Sequence, residues 1–225
     1  MKINPFKRLM KSADYSASSH KPKPNIRKSV LEENFSRLER VLDGSEKKAI
    51  AIIGQPGAGK SSLLLKLTNG QCTPKPVIGQ GTDATDWSRD PQANLFYDYN
   101  GSLYIDTPGY DTLAHPLKGY RDYLPFDRFD VILFSVRGKI HGSDEEMFES
   151  ILEKSRRTSS IVLIRSYSDD LTDEEKASIE QDFHLKFRYT RYNIPLIFVS
   201  NRYGEGIDEL KKVLEHKNPA KDDLG

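Results

Sequence analysis

At 225 residues the chain suits one domain with extensions, and a net charge of +1 gives no overall field that would single out nucleic acid as a partner. One cysteine, Cys72, excludes an internal disulfide framework and a cysteine-based zinc site and fits a reducing compartment, and the five histidines show no metal-ligand spacing. No apolar run reaches the roughly 18 residues that a membrane-spanning helix needs, and Met1-Lys2-Ile3-Asn4-Pro5 carries no hydrophobic signal core, so a cytoplasmic protein is expected.

Residues 1–28 hold eight Lys/Arg against one acid, Asp14, and Ser16, Ser18, Ser19, Pro22 and Pro24 interrupt any regular structure. A solvated, disordered tail is expected. Ile3, Phe6, Leu9 and Met10 beside Lys2, Lys7, Arg8 and Lys11 also make a short apolar stripe suited to peripheral contact with a membrane surface or a partner. The next segment, 29–43, predicts a helix. Ser29 caps it, Glu32 completes a capping box, Val30, Leu31, Phe35, Leu38, Val41 and Leu42 recur at helical spacing, and Gly44 ends it. This helix is expected on the outside of the domain or against a second copy of the chain.

An apolar, β-branched run, Lys48–Ile53, then leads into Gly54-Gln55-Pro56-Gly57-Ala58-Gly59-Lys60-Ser61, and Ser62-Leu63-Leu64-Leu65-Lys66-Leu67-Thr68 continues as a leucine-rich helical pattern. The middle piece fits G-x-x-x-x-G-K-[ST] in the strand–loop–helix setting that this motif requires. Its glycines let backbone N–H groups of Gln55 to Ser62 curl around phosphate oxygens, Lys60 reaches the β and γ phosphates, and the Ser61 hydroxyl is suited to a magnesium ion. Pro56 removes one N–H from that cradle.

Segment 70–93 is polar, proline-rich and without periodicity, too long for a simple connection. Leu95–Tyr99 and Leu103–Ile105 flank Asn100-Gly101, a strong hairpin signal. A second irregular stretch, 107–127, precedes a buried-type strand at 129–136. After it come a helix at 143–157, a strand at 160–165, a helix at 172–188, a strand at 195–199 and a helix at 206–216. Strands alternating with helices predict a mostly parallel sheet covered on both faces, with ligand beyond the carboxyl ends of its strands.

Asp106-Thr107-Pro108-Gly109 follows the second hairpin strand, about 45 residues after Lys60. There Asp106 can hold magnesium through a water and the Gly109 N–H can contact a γ phosphate. With the phosphate loop, this D-x-x-G and the strand order, the chain resembles Ras-type small P-loop GTPases of the translation-factor-related, Era-like class over about residues 46–216. The resemblance implies an α/β, three-layer fold with about six strands, one of them antiparallel, and helices on both faces. It divides the chain into a tail at 1–28, an N-terminal helix at 29–44, a GTPase domain at 45–217 and a C-terminal tail at 218–225. It implies Mg2+ and GTP or GDP as ligands, and a switch threonine completing the metal shell of Ser61 and Asp106. Thr85, 21 residues before Asp106, is the candidate and Thr82 the alternate.

The base-reading box departs from the family. After Ile161–Ile164 the chain reads Arg165-Ser166-Tyr167-Ser168-Asp169-Asp170. Laid on Asn/Thr-Lys-x-Asp, Ser166 takes the first place, Tyr167 replaces the lysine and Asp169 keeps the acid that accepts from two guanine donors. The order Arg-Ser/Thr-x-x-Asp is also similar to the box of immunity-related GTPases. Ser200 and Asn201 stand where the family's Ser-Ala-Lys loop approaches guanine. Where Ras-type enzymes place a water-orienting Gln after D-x-x-G, this chain has Tyr110, whose hydroxyl would have to swing in. The resemblance therefore implies slow hydrolysis alone, accelerated through a homodimer or an unidentified effector, with Arg89, Arg121 and Arg128 as candidate arginine fingers. No nucleic-acid partner is expected.

Overall fold

The computed structural model describes residues 28–76, 85–155, 161–169 and 171–216. The tails, Thr82 and Asp170 lie outside the described residues, apart from Lys28. Six strands form one sheet: β1 (Lys48–Gly54), β2 (Tyr97–Tyr99), β3 (Ser102–Asp106), β4 (Val131–Val136), β5 (Ile161–Ser166) and β6 (Leu196–Val199). Their order is β2-β3-β1-β4-β5-β6. Only β2 pairs antiparallel, with β3, through Asn100 and Gly101, both at positive φ as the tight turn demands. The expected fold class is the observed one.

Alternation along the buried strands sorts the core into two layers. Ala49, Ala51 and Ile53 face one side, together with Phe134, Leu163, Phe148 and Phe183. Ile50 and Ile52 face the other, together with Leu63, Leu64, Ile164 and Leu210. On the first face lie α1 (Val30–Asp43), α3 (Leu117–Tyr123), α4 (Gly142–Lys154) and α5 (Asp173–Phe187). On the second lie α2 (Lys60–Leu67) and α6 (Ile207–His216). Among the described residues no helix is long and apolar enough to cross a membrane.

The N-terminal helix forms as its capping box predicts: Glu32 N–H donates to Ser29 Oγ (3.3 Å) and Ser29 N–H to Glu32 Oε2 (3.0 Å). It buries Leu31, Phe35, Leu38 and Leu42 in the same core cluster as the sheet. Complete burial of Phe35 contributes about 1.5–3 kcal/mol. Inside the stretch 107–127, expected to be irregular, α3 and a 3-10 turn at Phe126–Arg128 appear. Seven residues with an internal Gly119 give no periodic signal, and α3 exists through tertiary contacts. Tyr120 is fully buried, packs edge-on against Phe35 (5.3 Å) and donates its hydroxyl to the Pro108 carbonyl (2.6 Å).

Candidate functional site

Because β1, β3, β4, β5 and β6 run parallel, the loops that follow them meet at one edge of the sheet. The loop after β1 is drawn tight by its own contacts: Ala58 N–H donates to the Gln55 carbonyl (3.2 Å) and Ser135 Oγ to the Ala58 carbonyl (2.9 Å). Gly59 sits at φ 80°, where a Cβ would lie 2.8 Å from Asn201 Nδ2 and 3.3 Å from the Tyr167 ring. Only glycine lets the loop, the box after β5 and the loop after β6 close together. Lys60 opens α2, is 8% exposed, and donates to the Gly54 and Gln55 carbonyls, both at 2.9 Å.

Asp106, at the end of β3, meets this loop. Ser61 Oγ donates to Asp106 Oδ2 at 2.6 Å and Thr85 Oγ1 to the same oxygen at 3.4 Å. The carboxyl is 1% exposed and its Oδ1 has no hydrogen-bond partner. Burial pushes its pKa up, opposed by the Lys60 charge and the Ser61 and Thr85 hydroxyls. Two hydroxyls and a buried carboxylate with a spare oxygen are a hard-oxygen donor set, which suits magnesium that keeps its waters. Among the described residues no group of three or more His, Cys, Asp or Glu could hold a metal, so the fit is to a hydroxyl, carboxylate and phosphate shell.

Gly109 presses on the phosphate loop: a Cβ there would fall 2.4 Å from Pro56 Cδ. Thr107 fixes the approach by donating both its N–H and its hydroxyl to the Ile52 carbonyl (3.2 and 2.9 Å).

Several expected site residues make contacts within the protein here. Tyr110, expected at the γ phosphate, is 0% exposed, stacks on Phe134 (6.3 Å) and donates its hydroxyl to Asp144 of α4. Its phenol pKa is pushed up by burial and by Asp144. Its ring lies in the apolar core because an aromatic gains more there than at a wet phosphate. The Gln55 side chain turns to Ser143 (3.0 Å). Arg165 is buried and folds back on the Ser166 carbonyl, and burial lowers its pKa, aided by nearby Arg137. Ser166 Oγ donates to the Val136 carbonyl (3.2 Å). These last two residues tie the box to the sheet. Ser200 does the same for its own loop, its N–H bonded to Glu205 O (3.1 Å) and its hydroxyl accepting from Tyr203 N–H (3.0 Å).

At the surface stand Tyr167, 43% exposed at φ 57°, and half-buried Asp169. Two further groups join them. Asn201 Nδ2 donates to the Gly59 carbonyl (3.1 Å). Arg137, absent from the sequence-based reading, lies over the Tyr167 ring (4.1 Å) with Nη1 3.4 Å from the Gly57 carbonyl. Its only advance signal was a position directly after a buried parallel strand. Of the candidate fingers, Arg121 is engaged by Ser150 and Glu146, and Arg128 by Asp43 and Asp127. Arg89 stays 85% exposed at its side chain, 3.5 Å from Asp86.

Residues 49–166, more than half of the chain, match the family model described as a 50S ribosome-binding GTPase. The chain belongs to that GTPase family. It is 27% identical over 172 residues to GTPase Era of Fusobacterium nucleatum, covering 74% of this chain and 54% of that protein. It is 25% identical over 231 residues to GTPase Der of Thermotoga petrophila, covering 92% and 51%. The chain thus spans about half the length of these two relatives. Among solved structures, Era in complex with MgGDPNP and a 16S ribosomal RNA fragment superposes with a TM-score of 0.54 at 20% identity, covering 79% of this chain and 59% of that one. The GTP-binding protein engB gives 0.53 at 16%, covering 75% and 97%. These likenesses support the GTPase fold, and none of the relatives named here is an immunity-related GTPase.

Tyr110→Phe tests the role of this tyrosine. It keeps the stack on Phe134 and loses the bond to Asp144, so chemical denaturation should show a loss of about 1–2 kcal/mol. GTP hydrolysis per folded molecule should stay within twofold of wild type. A tenfold drop in rate would restore Tyr110 to the chemistry.

Proposed function

We propose that the chain binds GTP and GDP with magnesium at this edge and hydrolyses GTP to GDP and phosphate, slowly on its own, as a molecular switch. The observation that carries this reading is the convergence of the Ser61 and Thr85 hydroxyls on the buried Asp106 carboxylate, one residue from the Lys60 ammonium. Backbone amides of Gly57 to Ser62 cradle the phosphates and Lys60 balances their charge. Ser61, Thr85 and Asp106 are the residues that would hold magnesium. Held there, the ion would supply neutralisation of phosphate charge. Asp169 accepts from the N1–H and exocyclic amine of guanine, Tyr167 covers the base, and the loop of Ser200 and Asn201 lies at the guanine edge. Thr85 and Gly109 sense the γ phosphate, and hydrolysis releases their segments.

Tyr110 lies in the core here, its hydroxyl bonded to Asp144, which supports a reading in which the attacking water is placed by another group. A second copy of the chain, presenting exposed Arg89, is the proposed source, with an effector protein as the other. The basic tail 1–28 is the proposed point of contact with an anionic membrane surface. The sequestration of Tyr110 also favours a second reading, a nucleotide-gated scaffold with little hydrolysis.

Calorimetry with GTP, GDP and ATP, each with and without magnesium, followed by single-turnover hydrolysis at rising protein concentration, tests the proposal. Heat is expected with the two guanine nucleotides only, and the rate per protomer should rise with concentration. No heat with either guanine nucleotide ends the proposal. Binding with no hydrolysis at any concentration selects the scaffold.

A further inference from the structure

The helix that precedes the GTPase core rests on both segments that border the phosphate site. Asn34 of α1 is 0% exposed and donates its side-chain amide to the carbonyls of Trp87 and Asp90, at 2.8 Å each. Its own Oδ1 accepts from Arg37 (3.0 Å), and Arg37 also bonds the Ala93 carbonyl. One turn of helix therefore grips three carbonyls of the segment carrying Thr85. Phe35 packs edge-on against Trp87 (6.0 Å) and against Tyr120 of α3 (5.3 Å). Trp87 is in turn linked to the segment after Gly109, since its N–H donates to His115 Nε2 at 3.2 Å, and Asp86 lies 3.2 Å from the same nitrogen. Thr85, two residues from Trp87, is the residue whose hydroxyl meets Asp106.

We propose that Asn34 is a positioning residue for the GTP-bound state: by holding Trp87 and Asp90 it sets Thr85 over Asp106, so that α1 favours the triphosphate and moves with the nucleotide. Two residues of chain span at most about 7 Å, so a large excursion of Thr85 bears on Trp87. A donor pair from a buried helix is a specific clamp, because undocking leaves two carbonyls and a buried amide to find other partners. Among the described residues the buried indole N–H of Trp87 has no acceptor. An unsatisfied buried donor costs this arrangement free energy, which brings a second arrangement of the segment closer to it. Diphosphate, which offers nothing to Thr85, does not call on the clamp.

This inference rests on the proposed GTP and magnesium site, and one experiment separates the two. Trp87 is the only tryptophan in the sequence, so its emission reports the clamp directly. The 225-residue chain, as wild type and as Asn34→Asp, is titrated with GDP and with the non-hydrolysable analogue GMPPNP in magnesium. The aspartate has the same shape but sets carboxylate oxygens against two carbonyls. In wild type, Trp87 emission should differ between GDP and GMPPNP. In Asn34→Asp the affinity for GMPPNP should fall on the order of tenfold, with GDP affinity within about twofold. A merely structural role would weaken both nucleotides alike. An unchanged GMPPNP-to-GDP ratio in a folded Asn34→Asp overturns the inference. Should that variant fail to fold, Arg37→Met, which loses the Ala93 bond and keeps its stem, must shift the ratio in the same direction, and an unchanged ratio there is equally decisive. A wild type that binds neither nucleotide removes the site reading, and the inference with it.

Discussion

Replacing Lys60 with alanine is expected to weaken both GTP and GDP binding by at least about 100-fold, roughly 3 kcal/mol. The ammonium does two jobs. It ties the Gly54 and Gln55 carbonyls into the loop, and it is the buried positive charge beside the place where phosphates would lie. A hydrogen bond to a charged group is worth about 1.5–3 kcal/mol, and here the phosphate would lose both bond and charge. Calorimetry reads the affinity, and a melt of the nucleotide-free variant separates lost binding from lost folding. A Lys60→Ala protein that is folded and binds GTP within threefold of wild type would show that the phosphates lie elsewhere.

Asp169→Asn should collapse base selection. A carboxylate accepts from two neighbouring donors on guanine and adenine offers no such pair, so the acid discriminates where an amide cannot. Losing one charge-assisted bond and setting an amide N–H against the exocyclic amine should cost about 2–3 kcal/mol, a fall of roughly 30–100-fold in the preference for GTP over ATP. An Asn in that place would instead complement a purine with an oxygen at the exocyclic amine position, so the affinity for XTP should rise. Competition binding with GTP, ATP and XTP measures all three. If the preference for guanine survives intact, the box is displaced by one residue and Asp170 is the reader.

What could be read ahead of the structure divides by range. Ser29 with Glu32, Asn100 with Gly101, and Gly54 through Ser61 each act through neighbours in sequence, and each forms the local structure its chemistry dictates. The parallel sheet follows from the alternation of apolar strands and helices. The packing of Tyr110 could not be read ahead, because a position in a motif says which residue follows Gly109 but not which way its side chain turns. The aromatic surroundings of Phe134 and Tyr120, distant in sequence, decide that. Helix α3 escaped for the same reason, being held by Phe35 and Pro108 and not by its own periodicity. Arg137, Asn34 and His115 carry no local signature. Their roles arise only when strand ends and loops far apart along the chain are brought within hydrogen-bond reach.

The contact between the Pro56 ring and Gly109 has a bearing on how this chain can vary. Neither residue tolerates a neighbour that grows: a methyl group at 109 collides with the ring, and the ring leaves no room for the turn to back away. A side chain at 109 would meet the Pro56 backbone nitrogen as well as its ring, so replacing the proline alone would not make room for one. Position 109 is therefore held to glycine for as long as the loop keeps this path, whichever side chain stands at 56.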